Sequence, residues 1–330
     1  MKILVTGATG LVGRNMVEHL AKNKHDVRAF VRETSHKNFL RRMGVDVFVG
    51  NFFDPQSLKD AVKDIDIVFH CAAMVSDWAS REDMIRENVT ALRNLLEACV
   101  GLPLKRFVHL SSLAVLGMNP QADTNERAPF VYTGDNYNYA KIEAEKVARD
   151  YVIKHGVPVV VLRPPYIYGK YDRHFLPPIV DSLRRGVFTY IDHGKNPISL
   201  VSVDNLVEAM IQAAKIPHAV GQVYHITDGV NTITRKELIE LICNDLYIEK
   251  PKRSIPASLA FALINLLELI YLIFRLKKKP ILNRFRMKFL HTPLTFDITK
   301  ARKQLGYSPS HPFKESFQNA VTYFKTNERC

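Results

Sequence analysis

Residues 6–13 read TGATGLVG, with Gly7, Gly10 and Gly13 at G-x-x-G-x-x-G spacing between an apolar run at 2–5 and an amphipathic stretch at 11–22. Glycine permits a tight turn, lets backbone N–H groups approach a pyrophosphate, and allows a helix to pack closely on a strand. The helix N-terminus that follows attracts an anion. Three glycines alone carry little weight; set between a strand and a helix at the very start of the chain, they predict a strand–turn–helix unit that opens a dinucleotide-binding sheet.

The rest of the first half repeats that unit. Apolar, β-branched runs at 2–5, 27–31, 45–49, 65–70, 106–110 and 157–162 predict strands buried on both faces. Helical spacing at 11–22, 57–62, 81–100 and 139–154 fills the gaps between them. Alternation of this kind predicts an α/β fold with a parallel, doubly wound sheet and right-handed crossovers. We expect this Rossmann-type domain over 1–171. Beyond it the pattern loosens into a smaller mixed lobe, 172–330, with strand-like 198–201 and 222–226 and helix-like 203–214 and 235–246. Parts of 198–226 are expected to return to the first domain. The tail suggests two short amphipathic helices, at 297–305 and 313–324.

The chain has 330 residues, 47% hydrophobic and 24% charged, enough for a sizeable core and unlike a disordered or disulfide-stapled chain. Lys and Arg outnumber Asp and Glu by 46 to 33, a net +13. The excess is local: 251–290 carries nine of the cations against the single acid Glu268. That cluster is joined to an apolar stretch rather than spread over a groove, which argues against nucleic acid. Cys71, Cys99, Cys243 and Cys330 are scattered without a C-x-x-C pair, the pattern of reduced thiols rather than a disulfide or metal site. The first residues read as structure and not as a leader, so we expect a cytoplasmic protein.

Two further clusters carry chemistry. Tyr137 and Lys141, in YNYAK, lie four residues apart and share a helix face. A tyrosine ionises near ~10, and a lysine one turn away is expected to lower that value toward a working range. Ser111 and Ser112, in HLSSLAVLG, close a buried strand, at the sheet edge where ligands sit in doubly wound folds. The second strand ends in Val31 and Arg32 with no acid to hold a ribose 2′-hydroxyl. Arg32 suits a 2′-phosphate, so we expect NADP(H) to be favoured over NAD(H); Glu33, next in sequence, keeps NAD(H) open.

With these clusters in order, the sequence resembles the extended branch of the short-chain dehydrogenase/reductase superfamily, closest to its 3β-hydroxysteroid dehydrogenase-like, 2-alkyl-3-oxoalkanoate reductase and dihydroflavonol reductase group. The resemblance spans nearly the whole chain through TGATGLVG, HCAA (70–73), ENVTALRNLLEAC (87–99), SSLAVLG, YNYAK, RPPYIYG (163–169) and DITKARKQLGYSP (297–309). It implies Tyr137 as acid–base, Lys141 as its partner and as ligand of the nicotinamide ribose, and Ser112 as orienter of the reacting oxygen. Ser112 is preferred to Ser111 because it lies five residues before Gly117. Asn88 would hold the site's geometry. The cofactor cradle would comprise Gly7, Thr9, Gly10, Leu11, Val12, Gly13, Arg32, Asn51, Phe52, Ala72, Ala73, Tyr137, Lys141 and Pro164, with Arg163 also near the nicotinamide end. A homodimer is common in this family. Two positions depart from its pattern. Asn51 follows Gly50 where an Asp usually stands, and Tyr139 sits on a different helix face from Lys141, in a packing role.

The expected activity is therefore interconversion of hydroxyl and carbonyl on a hydrophobic, sterol-like or alkyl-oxo acid substrate by hydride transfer. The alternatives are a nucleotide-sugar epimerase or dehydratase with the same triad, and a cofactor-binding protein without catalysis. The apolar stretch 256–276 bears on the choice. It is about long enough to span a bilayer, it could be a core helix, or it could lie on an anionic membrane face as a lid. Glu268 disfavours the span. Arg275, Lys277, Lys278, Lys279, Arg284, Arg286 and Lys288 behind it favour the surface placement.

Overall fold

A computed structural model describes residues 1–76, 79–117, 121–230, 233–273 and 291–327, with backbone alone for 121 and 267–273. The basic run from Arg275 to Lys288 and Cys330 lie outside the described residues.

Seven parallel strands form the main sheet: β1 (Lys2–Thr6), β2 (Asp26–Val31), β3 (Asp46–Val49), β4 (Ile67–His70), β5 (Arg106–Leu110), β7 (Val159–Arg163) and β11 (Val223–His225). The order across the sheet is β11-β7-β5-β4-β1-β2-β3. The chain runs outward from β1 to β3, then restarts on the other side of β1 with β4. A crevice therefore opens at the carboxyl ends of β1 and β4, the switch point of a doubly wound sheet.

Two helical layers cover the sheet. One face packs against α1 (Leu11–Lys22) and α8 (Val203–Lys215), around Val5, Met16, Val108, Leu206 and Met210. The other packs against α3 (Pro55–Val62), α5 (Ala91–Cys99) and α6 (Asn136–His155), around Leu4, Val68, Leu95, Phe107 and Ala144. The stretch expected as one helix over 81–100 is interrupted. Between α4 (Arg81–Ile85) and α5 lies a π-helical turn, Arg86–Thr90, with Asn88 inside it. One extra residue per turn rotates Asn88 away from the α-helical register, a change that sequence periodicity does not report.

The second lobe has its own core, built by α7 (Leu176–Arg184), α9 (Arg235–Leu246) and the helix Phe313–Asn327 around Tyr168, Leu238 and Phe317. Three short parallel pairs lie outside the main sheet: β8 (Tyr166–Tyr168) with β10 (Leu200–Ser202), β9 (Tyr190–Ile191) with β12 (Ser254–Ile255), and β6 (Gln121–Thr124) with β13 (Leu294–Phe296). The segment 198–226 divides, since β10 pairs outside the sheet whereas α8 and β11 belong to it. The helix Thr299–Leu305 starts where the Asp297 carboxylate accepts from Thr299 N at 2.8 Å. It packs back onto the sheet half through Ala301 and Leu305.

The apolar stretch forms α10 (Ala257–Ile273), and Asp192 accepts from Ala257 N at 3.0 Å at its start. Ala260 and Ile264 are buried against Ile191. Leu259, Leu263 and Leu266, on the other side, are 50–56% exposed. Among the described residues no helix is long and apolar enough to cross a membrane.

Candidate active site

The glycine turn fits a dinucleotide's pyrophosphate. Gly7 adopts φ +67°, and a Cβ there would lie 2.7 Å from Ala72 N, so β1's turn and β4's end meet backbone to backbone. A Cβ at Gly13 would collide with the Gly7 carbonyl. Gly10, which donates to Gly7 O at 2.9 Å, precedes α1. No side chain caps that helix and no acid lies in its first turn, which leaves the amides and dipole there to an anion. Thr9, Leu11 and Val12 belong to the same turn and first helical residues. Ala72 N reaches Thr6 Oγ1 at 3.3 Å, and Ala73 beyond it is exposed.

At the adenosine side, Arg32 is exposed and makes no ion pair among the described residues. Glu33 is bound by Lys37, whose ammonium donates to both its carboxylate and its carbonyl at 3.0 Å. Asn51 folds its amide oxygen onto Phe53 N at 3.0 Å. Phe52 is wedged between Phe30 and the edge of His70.

At the other end, Ser112 caps a single turn, Leu113–Leu116, and accepts from Ala114 N at 3.1 Å. Pro164 O takes Leu113 N at 2.9 Å, tying that turn to the end of β7. The Ser112 hydroxyl lies near enough to the Tyr137 phenol to favour its ionised form. Lys141 is buried, its ammonium donating to Leu110 O at 3.1 Å and lying 5.9 Å from the centre of the Tyr137 ring. Ser112, Tyr137 and Lys141 therefore converge at the sheet's carboxyl edge beside the glycine turn.

The expected pull of the lysine on the tyrosine is not what this arrangement produces. Burial holds Tyr137 up at about 12, against which the nearby Ser112 hydroxyl works, while Asp135 adds to the rise. Burial also brings Lys141 down to about 8, opposed by Glu145. Lost hydration acts on both groups more strongly than their mutual attraction.

Asn88 acts as a brace. Its side chain accepts from Met74 N at 3.0 Å and donates to Met74 O and Met84 O, which pins the loop after β4 to the π-turn. Tyr139 packs edge-on to Tyr132 and under Arg81. Arg163, expected near the nicotinamide end, has its guanidinium in a buried ion pair with Glu145 at 2.7 Å. The Ser111 hydroxyl also donates to Glu145. Glu145 was missed, although its place four residues after Lys141 put it on the same face. A polar row, Thr6–His70–His109, runs in register across β1, β4 and β5 beneath the crevice, with the two imidazoles stacked at 5.6 Å. Burial keeps His70 down at about 3 and His109 well below the usual range. These histidines looked like ordinary members of apolar runs.

The geometry agrees with the comparisons. The profile of the NAD dependent epimerase/dehydratase family matches residues 3–227. The chain belongs to that family. As a member it is an enzyme that moves hydride between a nicotinamide dinucleotide and a hydroxyl or carbonyl carbon. It is 29% identical over 312 residues to a 4-hydroxy-2-methyl-3-oxo-4-farnesyl-3,4-dihydroquinoline-1-oxide ketoreductase of Stigmatella aurantiaca, covering 93% of this chain and 92% of that protein. It is 28% identical over 325 residues to a 2-alkyl-3-oxoalkanoate reductase of Stenotrophomonas maltophilia, covering 96% and 98%. Among solved structures, that of gox2253 superposes with a TM-score of 0.83 at 25% identity, covering 99% and 98%.

Proposed function

We propose that this family member is an NADP(H)-preferring oxidoreductase that interconverts hydroxyl and carbonyl on an apolar alkyl-oxo or sterol-like substrate. The observation that carries the reading is the convergence of Ser112, Tyr137 and the buried Lys141 at the sheet's carboxyl edge beside the glycine turn. The nicotinamide dinucleotide supplies or accepts the hydride. Backbone amides from Gly10 to Gly13 would hold its pyrophosphate, Asn51, Phe52, Ala72 and Ala73 would line its adenosine and ribose, and Pro164 would meet its nicotinamide end. Ser112 orients the substrate oxygen. Tyr137 gives that oxygen a proton in reduction and takes it back in oxidation. Lys141 binds the nicotinamide ribose and offsets charge on the phenol oxygen. Asn88 holds the loop that faces them.

The NADP(H) preference rests on Arg32, free to meet a 2′-phosphate, and on Lys37, which neutralises Glu33. The apolar substrate class rests on the ketoreductase and alkanoate reductase relatives. We further propose that the chain works at a cytoplasmic, anionic membrane face, which the exposed Leu259, Leu263 and Leu266 and the cationic sequence around 251–290 support.

The test is cofactor oxidation with NADPH or NADH against 2-alkyl-3-oxo acids and oxo-steroids, with UDP-sugars offered for epimerisation in parallel. Ketone-dependent oxidation, faster with NADPH and abolished in Tyr137→Phe, is expected. Epimerisation of a UDP-sugar without ketone reduction overturns the reading. Arg32→Ala should weaken NADPH about tenfold to a hundredfold and leave NADH unchanged. Sedimentation with phosphatidylglycerol vesicles at low and high salt tests the membrane face, and protein that stays in solution at low salt removes it. Sedimentation equilibrium tests the homodimer, and a monomer removes that.

A further inference from the structure

Glu145 lies one turn beyond Lys141 on α6, with its carboxylate buried against three donors. Arg163 reaches it through Nε at 2.9 and 3.2 Å and through Nη2 at 2.7 Å, and the Ser111 hydroxyl reaches it as well. Both charged side chains of the pair are 3–4% exposed. Packing alone does not call for such a pair, because apolar residues of equal volume serve a core as well or better. Its location is informative. Ser111 adjoins Ser112, Arg163 adjoins Pro164, and Lys141 shares the helix face of Glu145. The carboxylate therefore touches both strand ends that carry the crevice and sits beside the cation beneath it.

The groups facing Lys141 single Glu145 out. From β4 comes His70 and from the loop after it Cys71, from β5 comes His109, and from α6 itself come Tyr137 and Glu145. Burial keeps both imidazoles neutral and pushes the Cys71 thiol up to about 12. The phenol of Tyr137 is neutral too. Glu145 remains as the anion that favours a charged Lys141 in a place where burial opposes it.

We propose that Glu145 is a positioning residue that keeps Lys141 in its ammonium form at working pH, while its bonds to Ser111 and Arg163 lock the Ser112 turn to α6. The inference rests on the reading that Lys141 serves the reaction. In Glu145→Gln, Arg163 loses its counter-charge, and its own charge then joins burial in opposing the ammonium. Lys141 should release its proton at lower pH, and activity should fall with it.

The experiment is the pH profile of kcat/KM, with thermal melting at each pH, for the unmodified enzyme and for Glu145→Gln, Glu145→Asp, Ser111→Ala and Lys141→Arg. The unmodified profile should fall off on a high-pH limb near pH 8. Glu145→Gln should move that limb down by about one pH unit or more, a loss of about tenfold at pH 8 and less at pH 6. Glu145→Asp should recover part of the shift. Ser111→Ala, which removes a bond but no charge, should leave the limb in place. If Glu145→Gln does not fold, Glu145→Gln with Arg163→Met leaves burial unopposed by the carboxylate, and the limb must still move down, by less than with Arg163 uncompensated. A uniform loss of activity at every pH, with an unmoved limb, overturns the proposal. Lys141→Arg separates the two layers, since a guanidinium does not titrate in this range. A limb that vanishes in Lys141→Arg but stays fixed in Glu145→Gln sinks this inference alone. A limb that persists in Lys141→Arg removes the lysine reading and this inference with it.

Discussion

The protein buries two carboxylates in two regions and satisfies them differently. At the carboxyl edge of the sheet, Glu145 is answered by a full charge, the bidentate Arg163. Where the second lobe meets the sheet, Asp228 is answered by neutral donors: Tyr168 OH at 2.6 Å, Asn205 Nδ2 at 2.7 Å and Ser202 N at 2.9 Å. Burial pushes Asp228 above the usual carboxylate range, and these hydrogen bonds only partly oppose the rise. The joint needs geometry, because Asp228 ties β8, β10 and α8 together, and a hydrogen-bonded acceptor supplies that. The carboxyl edge also carries Lys141, so charge is retained there at a desolvation cost.

The comparison breaks most sharply at Arg163. Arg163→Met leaves Glu145 buried without its partner and should lower the free energy of unfolding by about 3–5 kcal/mol in urea titrations. A loss under about 1 kcal/mol would mean that water reaches the pair. Next comes acid. His70 and His109 are neutral when folded and titrate near 6.5 when unfolded, so the unfolded chain binds more protons below that pH. The stability they allow is complete above pH 6.5 and is lost as pH falls toward 3. Between pH 6.5 and 5 the loss should be about 2 kcal/mol per histidine, and His109→Val should flatten the pH dependence of the urea midpoint.

Asp228 should show the opposite dependence. Its folded value lies above its unfolded one, so its contribution is complete below the unfolded value and declines as pH rises through the folded one. Asp228→Asn should therefore cost about 1 kcal/mol near pH 4 and less at pH 7, read from melting curves. A cost that grows with pH would make the joint resemble the carboxyl edge. The smallest effect on stability is expected at the exposed face of α10. Leu259→Gln with Leu263→Gln should change stability by less than about 0.5 kcal/mol yet remove binding to phosphatidylglycerol vesicles. Unchanged vesicle binding would separate that helix from the membrane.

How much of this was legible in sequence follows from the range of each interaction. The seventh-residue glycine turn, the apolar runs and the Tyr137–Lys141 spacing are local signals, and the structure brings their residues to one crevice. Leu176–Arg184 was not read as a helix because Pro177 and Pro178 look like a break, although proline is well tolerated in a first turn. Tyr166–Tyr168 was missed because three residues carry too little periodicity to mark a strand.

The sequence by itself determined the alternation of strands and helices, the glycine turn and the shared helix face of Tyr137 and Lys141, since each depends on neighbours close along the chain. Tertiary structure alone decided that Arg163 pairs with Glu145, 18 residues away along the chain. It also decided that His70 and His109 stack across adjacent strands, and that α10 shows leucines on the side its anchors leave open. The reason is desolvation. A charge or an imidazole takes its behaviour from what surrounds it once water is gone, and only the folded chain brings those surroundings together.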